Sequence, residues 1–236
     1  TVDMASGLST ARVTNGLTNN GTLNLNTGSI LSFEGVNTLS GNGSIVFGSG
    51  ANNRVGVDNN GVLTIGANAT IRGQNGSIGD GVFVGGNNAL VNNGTINSDG
   101  GGTINLRALN AGLTSNGLLR AQNGTLNVQN VVGGTGTLQV DATGVITLAN
   151  GGNSQGTLAM GAAGAALNLG TGNLVIGSDY TNAAAGTGNA FDRRAGVSGS
   201  GQIVAGGNAA QAITGAGVTG GNTANATLTL GNVRVG

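Results

Sequence analysis

The sequence predicts an all-β chain wound as a parallel β-solenoid of about 20 residues per coil, with three short strands in each coil. Three observations carry this: a tetrapeptide anchor that recurs at intervals near 20 residues, period-2 apolar alternation after each anchor, and a composition rich in turn formers but without proline. Of 236 residues 50 are Gly, 7% are charged and 2% are aromatic, yet 38% are hydrophobic. That apolar content lies in short alternating runs of Val, Leu and Ile, the pattern of strands facing a narrow core rather than of a disordered polar chain.

The anchor reads Asn20-Gly21-Thr22-Leu23, Asn42-Gly43-Ser44-Ile45, Asn60-Gly61-Val62-Leu63, Asn93-Gly94-Thr95-Ile96, Asn116-Gly117-Leu118-Leu119, Thr135-Gly136-Thr137-Leu138 and Gln155-Gly156-Thr157-Leu158. Asn75-Gly76-Ser77-Ile78 divides the one long interval. Two residues after each anchor glycine stands Leu or Ile, and two further on stand Leu25, Phe47, Ile65, Ser98, Ala121, Val140 and Met160. Alternate side chains of a strand share a face, so these residues form the inward one.

A second strand follows in Gly102-Thr103-Ile104-Asn105-Leu106, Gly124-Thr125-Leu126-Asn127-Val128, Gly144-Val145-Ile146-Thr147-Leu148 and Ala165-Ala166-Leu167-Asn168-Leu169. A third precedes the next anchor, as in Ala89-Leu90-Val91, Gly112-Leu113-Thr114 and Asn130-Val131-Val132. Such a unit cannot close a core alone. Stacking closes it, each strand pairing with its equivalent about 4.8 Å along the axis. Gly and Asn supply the positive φ of the corners, and proline would remove a rung donor from a sheet bonded on both sides.

The regular coils span residues 1–176. An irregular insertion or loop is expected at 177–198, then further coils or terminal strands at 199–236 with a loop at about 206–224. The insertion holds Tyr180, Phe191, Asp192, Arg193 and Arg194, an aromatic and charged group on an otherwise bland chain and hence the candidate binding residues. The first residues carry no charged and apolar export segment and the last form an alternating run, so the chain reads as a piece of something longer, with any export signal removed or outside it.

The stacked anchors, with G-T-[LI]-N-[LV] half a coil later, resemble the large bacterial exoproteins of the filamentous-haemagglutinin and autotransporter-passenger type over most of 15–176. The resemblance implies a right-handed winding, export to the bacterial cell surface or medium, and roles in adhesion, biofilm or surface fibres. Its implied partners are host or bacterial surface glycans and proteins, or other copies of the chain in a homopolymer joined by strand pairing.

Eight arginines balance eight acids, with no lysine or cationic cluster to neutralise phosphates, which argues against nucleic acid. No apolar run is long enough for a transmembrane helix. With no Cys or His, zinc and iron have no ligands. Asp99-Gly100-Gly101-Gly102 lacks the nine-residue spacing of calcium rolls, so no metal and no cofactor is expected.

Parallel β-helices also host polysaccharide-cleaving enzymes. Asp99 and Asp141 stand at the same offset from their anchors with Gln122 between them, two rungs and roughly 10 Å apart, just beyond a glycosidase carboxylate pair. They read better as a polar corner that ends a strand, so no catalytic residue is assigned and no enzymatic activity is expected. The Asn-x-Ser/Thr triplets mostly coincide with anchors and reflect the turn.

Overall fold

A computed structural model describes residues 1–4, 8–141 and 143–160 and, beyond them, the strands Ala166–Asn168, Leu174–Ile176, Tyr180–Asn182, Val197–Ser198, Ile203–Ala205, Ile213–Gly215 and Leu228–Leu230. Among the described residues there is no helix, and the strands pair in parallel to form a β-solenoid. Three faces wind in turn.

The first face is a ten-stranded sheet of Val2–Met4, Thr22–Leu25, Ser44–Phe47, Thr70–Gly73, Thr95–Ser98, Leu118–Ala121, Thr137–Val140, Thr157–Met160, Tyr180–Asn182 and Ile213–Gly215. The second contains Thr10–Val13, the first parts of Ile30–Ser40 and Arg54–Ile65, then Gly76–Gly79, Thr103–Leu106, Thr125–Val128, Val145–Leu148, Ala166–Asn168 and Val197–Ser198. The third contains Leu17–Thr18, the second parts of the same two long strands, Ala89–Asn92, Gly112–Ser115 and Val132–Gly133, and continues through Asn153–Gln155, Leu174–Ile176, Ile203–Ala205 and Leu228–Leu230.

Register on the first face measures the coils: the shortest runs 19 residues, from Leu119 to its partner Leu138, and between Val2 and Leu158 the longest runs 26, from Ile45 to Ile71. Strand lengths hardly vary, so the difference lies in the corners.

The core is a stack of inward columns. Ile45, Ile71, Ile96, Leu119, Leu138 and Leu158 are each fully buried on the first face, and Ile104, Leu126, Ile146 and Leu167 repeat this on the second. Each such side chain contributes about 1.5–3 kcal/mol of burial free energy relative to exposure. Volume is traded between faces where the column changes. At Gly76, which faces inward, an added Cβ would lie 2.5 Å from the Phe47 ring, so the phenyl occupies the space a larger residue would need.

Two of the expected anchors prove to be something else. Asn60-Gly61-Val62-Leu63 lies on the third face, because Arg54–Ile65 runs unbroken round a corner made by the positive φ of Asn59 (60°) and Asn60 (50°). Gly35 alone stands opposite Asn59, Asn60 and Gly61, a bulge in the register between Glu34 and Val36. Asn75-Gly76-Ser77-Ile78 lies on the second face, paired with Thr103–Leu106. The first-face strand of that coil is Thr70–Gly73, entered through Asn68-Ala69, so Gly73 rather than Ile65 follows Phe47 in the inward column.

The six remaining anchors are on the first face as expected. Five of their glycines, from Gly43 onward, are dictated by closeness between coils: a Cβ at Gly117 would stand 2.1 Å from the carbonyl oxygen of Gly94, and one at Gly136 equally near that of Gly117, whereas one at Gly21 in the first anchor would meet nothing.

Candidate functional site

Of the candidate binding residues, Tyr180 opens a strand on the first face whose backbone pairs with Leu158–Met160. Phe191, Asp192, Arg193 and Arg194 lie outside the described residues, as does the side chain of Tyr180.

Where the chain is described, its most differentiated surface is built by unequal corners. Ile78 and Leu90, the inward residues that end the second face and open the third in that coil, are separated by twelve positions, against seven for Leu106 and Leu113 one coil later. The surplus forms a loop over residues 80–88 that folds back across earlier coils. Its anchor is Asp58, an outward residue fully buried beneath the loop. Asp58 Oδ1 accepts hydrogen bonds from four successive backbone N–H groups, those of Val82, Phe83, Val84 and Gly85, at 2.8–3.1 Å. Its Oδ2 accepts from the Ser32 hydroxyl.

Burial pushes the Asp58 carboxyl up, but the Ser32 hydroxyl and the loop N–H groups outweigh it and hold the group below its usual range. Small residues clear the path: a Cβ at Gly56 would lie 3.1 Å from both the Asp80 carbonyl oxygen and Val82 Cγ2. Phe83 reaches the Arg12 guanidinium, 4.9 Å from its ring centre, and Arg12 pairs with Glu34. Phe83 and Val84 remain 43% and 57% exposed, an apolar tip on a rigid mount.

Beside the foot of this loop, on the outer surface of the second face, lies a trough of about 380 Å3. Gly76 and Ser77 floor it, Asn52 rises on one side, and Thr103, Asn105 and Arg107 rise on the other. It exists because six residues (48–53) turn this corner in one coil, only Gln74 and Asn75 in the next and four (99–102) in the one after, so the short corner is recessed between two longer ones. Arg107 is paired with Asp80 at 2.7 Å, and Asp80 also accepts from Ser77 Oγ at 3.0 Å. Asn105 Oδ1 accepts from Asn127 Nδ2 at 2.9 Å on the coil beyond the trough.

Asp99 and Asp141 occupy equivalent positions two rungs apart, as their offsets predict. Each is engaged by an arginine of the preceding coil, Asp99 by Arg72 at 2.8 Å and Asp141 by Arg120 at 2.6 Å. That is the behaviour of a polar corner tied between coils. Neither carboxylate is free to face the other.

Sequence reasoning missed both the Asp58-anchored loop over residues 80–88 and the trough. The signals were present: a twelve-residue interval where seven suffices, and an aspartate directly after the inward Val57. They were obscured once Asn60 and Asn75 were read as anchors, which made the coil lengths look regular.

No family model matches the chain, and no curated protein or solved structure matches it.

Proposed function

We propose that the chain is a structural and adhesive segment of a secreted bacterial cell-surface exoprotein, of the filamentous-haemagglutinin or autotransporter-passenger kind. The observation that supports this reading is the in-register stacking of the ten-stranded first face. At about 4.8 Å per rung it extends about 43 Å along the axis. A solenoid of this kind provides reach and lateral surface, since each coil contacts only its neighbours.

Its exterior suits contact with polar surfaces. The outward positions carry Thr, Asn and Gln in register, as in Thr103 and Thr125 or Asn105 and Asn127, and arginines 12, 72, 107 and 120 are neutralised by acids of adjacent coils. Attachment of protein-coated beads to bacterial and epithelial cell layers tests the adhesive role, with negative-stain microscopy for shape. Short rods and attachment above uncoated beads are expected. Rods that confer no attachment would reduce the reading to a spacer, and fibres with a subunit repeat would favour assembly between copies.

A further inference from the structure

We propose that the trough on the second face is a binding site for an uncharged oligosaccharide, lying along the strands between two coils. The inference rests on the adhesive reading and gives it a place and a ligand class.

The trough has the dimensions of an extended polyol. Its walls belong to coils two rungs apart, about 10 Å between backbones, and its volume of about 380 Å3 is in the range of small-ligand sites. It is open along the strand direction because its floor is Gly76 and Ser77, residues with little or no outward side chain.

Its free hydrogen-bonding groups match hydroxyl and ring oxygens. The Asn52 and Thr103 side chains have no partner among the described residues. Asn105 is oriented by the coil beyond: its oxygen faces Asn127 and is taken up there, which turns its Nδ2 donor toward the trough. Arg107 is held by Nε and a terminal nitrogen on Asp80 Oδ2, leaving further N–H groups free. The bonds already made within the wall hold Asn105 and Arg107 in place, so binding need not order those two.

The charge balance selects an uncharged ligand. The one cation among the lining residues is neutralised by Asp80, itself fastened by Ser77. Arg54 has no acidic partner among the described residues, but it does not line the trough. An anionic saccharide would therefore find no uncompensated charge inside.

The test uses the full chain and saturation-transfer NMR with a panel of neutral tetrasaccharides (cello-, xylo-, manno- and malto-oligomers) and diacetylchitobiose, with tetragalacturonate as the charged comparison. At least one neutral member should show transfer. Its dissociation constant should weaken about tenfold or more in the Thr103→Val/Asn105→Ala double variant, which loses two donors. Thr147→Val, in the same outward column two rungs on, should leave it unchanged.

Circular dichroism and the melting temperature confirm that both variants are wound. No transfer from any neutral member, equal affinity in the double variant, or a salt-sensitive preference for tetragalacturonate would each overturn the assignment. Bead attachment separates this from the parent reading: attachment that survives the double substitution refutes the trough alone, while wild-type beads that never attach refute adhesion.

Discussion

Replacing Asp58 by alanine should detach the 80–88 loop while leaving the solenoid wound. The carboxylate satisfies four backbone N–H groups and one hydroxyl, and hydrogen bonds to a charged group contribute about 1.5–3 kcal/mol each. They do not add, because four share one oxygen and the loop amides recover water when the loop lifts. Two bonds' worth at the lower end of that range, about 3–4 kcal/mol, is the net cost. At 1.4 kcal/mol per decade this raises the opening equilibrium of the loop by about 100- to 1000-fold. Hydrogen exchange read by mass spectrometry tests it at the amides of Val82, Phe83, Val84 and Gly85. They should be protected in the wild type and exchange faster by that factor in Asp58→Ala, while residues 104–106 and 119–121 keep their rates. Asp58→Asn retains an acceptor oxygen without the charge and should fall between. Wild-type amides at 82–85 that exchange like free loop, or protection that survives the alanine, would refute the anchoring role.

The same carboxylate predicts a pH dependence. Its folded pKa is depressed, so its contribution is present above the ordinary aspartate value of about 3.9 and is lost as pH falls from there through the folded value, with loop exchange rising in that window. Gly117→Ala should destabilise by about 3 kcal/mol, seen as a lower urea midpoint, since its Cβ would stand 2.1 Å from the Gly94 carbonyl oxygen; a midpoint within error of wild type would contradict the close approach. Gly76→Ala should cost a comparable amount through the Phe47 ring, and Phe47→Leu in the same chain should recover part of it, a coupling that a double-mutant cycle measures. Arg120→Ala should cost under about 1 kcal/mol despite its 2.6 Å contact with Asp141, the ordinary worth of a pair near the surface.

The sequence made the strands legible because one residue type recurs at one depth. Ile96, Leu119, Leu138 and Leu158 stack as partners in consecutive coils, and the anchor glycines before them are required by contact with the preceding coil. What it left illegible was phase. An Asn-Gly pair suits any sharp corner, and a solenoid has three per coil, so Asn60-Gly61 and Asn75-Gly76 satisfy the local rule on the wrong faces. Only pairing decides the face, and it makes Ala69 the equivalent of an anchor glycine, at a corner where Ala69 N–H bonds back to Gly66 O at 2.9 Å. Asp58 was hidden for a related reason. An aspartate at the end of a strand ordinarily caps a turn, and nothing local tells that a segment 24 residues later will fold back over it.

Phase also explains where specificity can arise in such a chain. A strand residue is held in register with two neighbours, its inward side chain is committed to the core, and its outward one repeats every rung, so strands vary little in shape. Corners are free to differ in length between adjacent coils, and each difference has one of two results. A surplus, as at residues 80–88, projects over its neighbours and needs an anchor such as Asp58. A deficit, as at Gln74 and Asn75, recesses one coil between two others and opens a trough. Both occur in the same coil, on either side of the short strand Gly76–Gly79. Asp80 joins them, since it begins the loop and neutralises Arg107 on the trough wall. A substitution at Asp80 should therefore disturb both features at once, whereas changes at Asp58 or Asn105 should separate them.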